Sequence, residues 1–139
     1  MSSVLLDTVT VSEIRRGPKG NRNVWHWQQE FRSASLSVIT LNEILFGIRK
    51  VERKDPDFAG RLNRWYANLL IQPARYHILE VDRAIAEQAA EYRATHGTDL
   101  ADSLIAATAK VHGLTLATRN TADFQDCDIA LVNPWEYSG

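Results

Sequence analysis

DLADSLIAATAKVHGLTLATRNTADF, residues 99–124, is a helix, a strand and a loop in one stretch, with an acid near each end. Leu104, Ile105, Thr108 and Val111 share the inward stripe of a helix that stops at Gly113, a residue suited to the position after a last turn. Leu114–Ala117 then reads as a short buried strand. Asp102 falls in the first turn of this helix, and Asp123 lies just beyond the end of the strand.

Four more apolar runs predict strands: Val4–Leu6, Leu36–Ile39, His77–Val81 and Ile129–Val132. None alternates strictly, as expected of parallel strands covered on both faces. Helical patterns fill the gaps. TLNEILFGIRKV (40–51) places Leu41, Ile44, Leu45, Ile48 and Val51 on one stripe. DFAGRLNRWYANLL (57–70) is entered through Asp55-Pro56, and the two segments together predict a helical hairpin. DRAIAEQAAEYRATHG (82–97) is rich in helix formers and stops at Gly97. Strands alternating with helices imply βαβ units and an α/β fold with a mainly parallel sheet. Ligands of such sheets bind at the carboxyl ends of the strands.

Four acids fall at that edge. Asp7 follows the first strand, Glu43 opens the helix after the second, and Asp102 and Asp123 bracket the fourth. Each has a plainer reading. Thr40-x-x-Glu43 has the form of a capping box, as does Thr10-x-x-Glu13. Asp102 suits a helix dipole, with Asp99 as N-cap. Asp123 suits a solvated loop. Asp7 is harder to dismiss, because an acid leaving an apolar strand needs a partner or a shifted pKa. As a group the four would repel one another in a poorly solvated cleft, and a divalent cation removes that conflict. An all-oxygen donor set suits Mg²⁺ or Mn²⁺ rather than zinc.

Composition sets wider bounds. The 139 residues, 45% hydrophobic and 24% charged with a net charge of −1, predict one globular domain over 1–139. The lone Cys127 allows no internal disulfide. No run suits a membrane span or a secretory signal, so a soluble cytoplasmic protein is expected. Basic residues cluster at Arg15, Arg16, Lys19 and Arg22, and again from Arg49 to Arg64, while none follows Arg119. Such patches around an acidic centre attract phosphate, although solvated helix faces would look the same.

The stretches VLLDT (4–8), SVITLNEILFGI (37–48), residues 99–124 and NPW (133–135) resemble the PIN-domain ribonucleases. Within that family the chain is most similar to the VapC/FitB-type toxins of toxin–antitoxin pairs. The resemblance covers Val4 to Trp135. It implies a three-layer α/β/α domain with a mainly parallel sheet of four to five strands. It also implies Mg²⁺- or Mn²⁺-dependent endonucleolytic cleavage of RNA by an acidic site at Asp7, Glu43, Asp102 and Asp123. Asp7 and Asp102 are the expected direct metal ligands, Glu43 and Asp123 shared ones or ligands through water, and Thr8 and Asn120 polar helpers. The family further implies an antitoxin that inserts a segment into the active-site groove, and a homodimer or a hetero-oligomer with that antitoxin. One position departs from the pattern: Val9 stands where relatives usually carry Asn.

Arg15, Arg16, Arg49 and Lys50 are candidates for the RNA backbone. The four histidines show no ligand spacing, Cys127 suits packing, and Trp25, Trp27 and Trp65 suit a core or an interface. NPWEY predicts a strand exit with Trp135 over the sheet edge. Two rivals use the same features. A phosphatase of the haloacid dehalogenase type needs a second acid two residues after the first, where this chain has Val9. A PIN module that binds RNA or a partner without cutting fits Val9 but leaves four clustered carboxylates without a use.

Overall fold

The computed structural model describes residues 4–139. Its strands are β1 (Val4–Leu6), β2 (Ala34–Ser37), β3 (Tyr76–Leu79), β4 (Thr115–Ala117) and β5 (Leu131–Val132). They form one sheet in the order β3-β2-β1-β4-β5, with every neighbouring pair parallel. The helices are α1 (Thr8–Arg15), α2 (Arg22–Gln28), α3 (Val38–Glu52), α4 (Pro56–Leu70), α5 (Arg83–His96) and α6 (Leu100–His112). Among the described residues no helix is long and apolar enough to cross a membrane.

Adjacent strand residues point to opposite faces, and this divides the core in two. Leu5 and Leu116 pack under α5 and α6 with Ile85, Ala89, Tyr92, Ile105 and Phe124. Leu6 and Ala117 pack on the other side with Val11, Trp27, Ile44, Ile48, Ala59 and Leu69. The three-layer α/β/α arrangement inferred from the sequence is therefore present. Buried alanines at 106, 107 and 109 let α6 lie close against the sheet and α5. Gly97 and Gly113 end α5 and α6 with φ of 67° and 65°, a region costly for residues with a Cβ.

Several boundaries depart from the sequence reading. The second strand is Ala34–Ser37 rather than Leu36–Ile39. Ser37 caps α3, its side chain accepting from the Ile39 N–H at 3.0 Å, so Val38 and Ile39 are already helical. Thr40 is therefore buried inside the helix instead of capping it, and Glu43 sits in the second turn, not the first. The third strand is Tyr76–Leu79 rather than His77–Val81, and the fifth is only Leu131–Val132. The sequence reading placed no helix at α2, and at α1 only a capping box beginning at Thr10. Asp7, not Thr10, caps α1, and Glu13 instead accepts from the backbone N–H of Asn21 at 2.6 Å, closing the turn between α1 and α2. Trp135 lies in a 3₁₀ turn beside α2, with its carbonyl accepting from the Asn23 side chain at 2.6 Å.

Candidate active site

β1 lies at the middle of the sheet, between β2 and β4. Its exit residue is Asp7, anchored by donation of its N–H to Ala117 O at 3.2 Å. The Asp7 carboxylate is buried, and its Oδ1 accepts from the Thr10 N–H at 2.8 Å. Capping α1 in this way uses one oxygen and fixes the carboxylate at the carboxyl edge of the sheet. Thr10 reinforces the junction by donating its hydroxyl to Ala117 O at 2.9 Å.

The neighbouring strands deliver the rest. α3, after β2, presents Glu43, whose carboxylate accepts from the Thr8 hydroxyl. Thr8 Oγ1 also stands 3.3 Å from Thr40 Oγ1, so a short hydroxyl chain orients Glu43. α6 presents Asp102 in its first turn, where Asp99 accepts from the Asp102 N–H at 2.8 Å. The loop after β4 supplies Thr118, Asn120 and Asp123. Thr118 is fully buried and accepts from the Asn120 N–H at 3.1 Å.

These residues line one pocket of about 190 Å³: Asp7, Thr8, Val9, Glu43, Asp102, Ile105, Thr118, Asn120, Asp123 and Phe124. All four acids and both polar helpers named from the sequence are thus brought together. Asp123 is exposed at the rim, while Asp102 is half-buried against Ile105 and Phe124. Sequence reasoning missed Thr118, Ile105 and Phe124. The apolar pair gives no chemical signal in a sequence, yet it supplies the poorly solvated wall.

The electrostatic consequence falls on Asp102. Burial, foremost, and then the charges of Asp99, Glu43, Asp123 and Asp7 push its pKa from 3.8 up to about 6. The proton affinity of one carboxyl thus registers the other three pocket acids as well as its own cap. Among the described residues no three acidic, histidine or cysteine side chains converge into a ready ligand cage. The donor set itself, oxygen throughout and short of positive charge, fits Mg²⁺ or Mn²⁺.

The comparisons with known proteins fall on this architecture. Residues 4–129 match the PIN domain. The chain belongs to the PIN-domain family. It is 36% identical to Toxin FitB of Neisseria gonorrhoeae, over 95% of this chain and 98% of that protein. It is 32% identical to VapC ribonuclease Y4jK of Sinorhizobium fredii, over 96% of this chain and 98% of that one. A crystal structure of FitAcB from Neisseria gonorrhoeae superposes with a TM-score of 0.78 at 34% identity, covering 96% of this chain and 99% of that one. FitAB bound to an IR36 DNA fragment superposes with a TM-score of 0.77 at 34% identity, covering 98% of each chain.

The basic candidates of this PIN chain stand outside the pocket and differ among themselves. The Arg15 guanidinium lies 5.8 Å from the Phe58 ring and 5.9 Å from Trp65, on the wall of a separate apolar groove. Arg16 pairs with Glu13 at 3.4 Å, and Arg49 pairs with Glu52 one helical turn away. The Arg49 pair is exposed and contributes little to stability, whereas in the Arg16 pair only the arginine is exposed, Glu13 being held by the Asn21 N–H. Among the described residues Lys50 has no carboxylate partner, and it sits 5.3 Å from the centre of the Phe46 ring. Of the aromatic candidates, Trp27 is core and Trp65 lines the apolar groove. Cys127 is buried as a free thiol, with its carbonyl accepting from the Tyr92 hydroxyl at 2.6 Å.

Proposed function

We propose that this PIN domain is a metal-dependent endoribonuclease and the toxin of a toxin–antitoxin pair. The observation that carries the reading is the shared pocket of Asp7, Glu43, Asp102 and Asp123, in which the other three acids all raise the proton affinity of Asp102. The relatives named as a toxin and as a VapC ribonuclease support the choice of RNA and of the toxin role.

Asp7 and Asp102 would hold Mg²⁺ or Mn²⁺ directly, with Glu43 and Asp123 sharing it or reaching it through water. When bound, the ion would supply charge neutralisation at the phosphodiester and a water acidic enough to act near neutral pH. The chain's own residues do the rest. Asp7 is pre-set by its cap, so little side-chain freedom is lost on coordination. Thr8 and Thr40 hold Glu43 in place. Asn120, carried on a backbone fixed by Thr118, offers an amide to a phosphate oxygen or a carboxylate. Ile105 and Phe124 limit water at the Asp102 wall, which strengthens each charge interaction there.

An antitoxin segment would dock beside the site. An apolar groove of about 270 Å³ runs between α1, α3 and α4, and it shares Thr8 and Glu43 with the carboxylate pocket. A partner side chain lying in this groove would reach the acids from their apolar flank, past Arg15.

The test is cleavage of total cellular RNA by purified, antitoxin-free protein in Mg²⁺, in Mn²⁺ and in EDTA. Asp7→Asn is the control of choice, because asparagine caps a helix as well as aspartate does. Discrete fragments that need metal and vanish in Asp7→Asn are expected. Val9 favours a second reading, a PIN module that binds RNA or a partner without cutting. Intact RNA in the presence of folded, Mn²⁺-bound protein would establish that reading instead.

A further inference from the structure

Two cation–aromatic pairs lie on segments that also carry pocket residues, one on α3 with Glu43 and one beside Asn120, and the chemistry so far uses neither aromatic ring. The first is on α3. Phe46 is 64% exposed, its ring 5.3 Å from the Lys50 ammonium. It lies one helical turn beyond Glu43, about 5 Å along the axis. Arg53, two turns on, shares this outward face, and α3 buries Ile44 and Ile48 on the other. The second pair follows β4 and β5. The exposed Arg119 immediately precedes Asn120, and its guanidinium lies 5.3 Å from the Trp135 ring.

Sheet order places the pairs on opposite sides. Phe46 and Lys50 follow β2, Arg119 follows β4, and Asp7 leaves β1 between them. Two strand spacings, about 10 Å, separate β2 from β4. An exposed phenyl ring is unfavourable in water, and here it lies against the Lys50 ammonium. A partner protein's apolar side chain would gain nothing from Lys50 and Arg53. A nucleotide uses both halves of each pair, since its base stacks on the ring and its phosphate meets the cation.

We propose that Phe46–Lys50 and Arg119–Trp135 bind the single-stranded nucleotides on either side of the phosphodiester that is cut, and so set the preferred bases there. This rests on the ribonuclease reading and adds the residues that position its substrate. Arg49 is left out because Glu52 already neutralises it.

The test is binding and cleavage of a labelled, mixed-sequence single-stranded RNA of about 12 nucleotides, long enough to cross such a site. Binding is read in EDTA over a salt series, and cleavage in Mg²⁺. Phe46→Ala should weaken binding about tenfold, with the loss falling on KM rather than on kcat, and Phe46→Trp should restore it. Lys50→Ala and Arg119→Ala should each lower the salt slope by about 1. Trp135→Phe keeps the ring and should bind as the parent does, which separates stacking from packing against α2. If the parent cuts RNA but Phe46→Ala matches it in KM, and Lys50→Ala and Arg119→Ala match it in salt slope, the inference is overturned and the ribonuclease reading stands. If Phe46→Ala alters the oligomeric mass while leaving RNA affinity intact, the α3 face is a protein interface and the inference is overturned. Protein that neither binds nor cuts RNA overturns both.

Discussion

Two cavities adjoin the carboxylate pocket, and their chemistry is opposite. The groove between α1, α3 and α4 is walled by Ile44, Ile48, Val51, Leu62 and Trp65, and shares Thr8 and Glu43 with the site. The cleft beyond α6, about 450 Å³, is walled by His96, Asp99, Asp126 and Thr98, and shares Asp102 and Asp123. Glu43 has a hydroxyl partner on its side, whereas Asp102 meets further negative charge on its own. The unfavourable charge of the site therefore concentrates at Asp102. Acidic side chains thus gather on one flank of the pocket, and apolar surface lines the other.

The sharpest way to break this contrast is at Asp102 itself. Asp102→Asn is expected to lower RNA cleavage by at least about 100-fold, the scale of losing one essential electrostatic group. Its fold should survive, because the helix cap belongs to Asp99. Cleavage rates set beside circular dichroism check both halves. Next in size is the dependence on pH. A carboxyl with a pKa of about 6 in the folded chain keeps a proton that the unfolded chain, near 3.8, has already released. Metal-free protein is thus favoured at low pH, and this contribution to stability is lost as pH rises through about 6. Urea denaturation in EDTA at pH 5 and pH 7 should show it, and Asp102→Asn should flatten the difference. Cleavage has the opposite sign and should fall below about pH 6 as the proton competes for the carboxylate.

The apolar flank is sharpened at Gly47. It is exposed on the groove wall, and a Cβ there would meet nothing within 4 Å. Gly47→Ala is expected to raise stability by about 0.5–1 kcal/mol through helix propensity alone, read by urea denaturation. The bulkier Gly47→Leu should weaken capture of the antitoxin in a pull-down. The last prediction separates the two roles of Asp7. Asp7→Ala should be about 1 kcal/mol less stable than Asp7→Asn, because alanine cannot cap α1.

The same contrast explains what the sequence made legible. The four acids could be found because strand ends and helix starts are marked by simple patterns, and α/β sheets bind at one edge. α1 was only half legible, because Thr10-x-x-Glu13 has the form of a capping box while the cap is Asp7, three residues earlier. The end of β2 was misplaced by two residues because Val38, Ile39 and Thr40 suit a strand, while Ser37 carries the helix start in its side chain. Ile105, Phe124 and Thr118 were out of reach. Their part depends on which buried side chains border a carboxylate, and that is settled by packing between α6, β4 and the loop after it.

The most direct test of the central claim, that four carboxylates act as one cation site, is Mn²⁺ binding by calorimetry to the parent chain and to Asp7→Asn, Glu43→Gln, Asp102→Asn and Asp123→Asn. All four substitutions are expected to weaken binding, Asp7→Asn and Asp102→Asn most of all. Binding that is absent from the folded parent, or undiminished by Asp7→Asn and Asp102→Asn, would contradict the account.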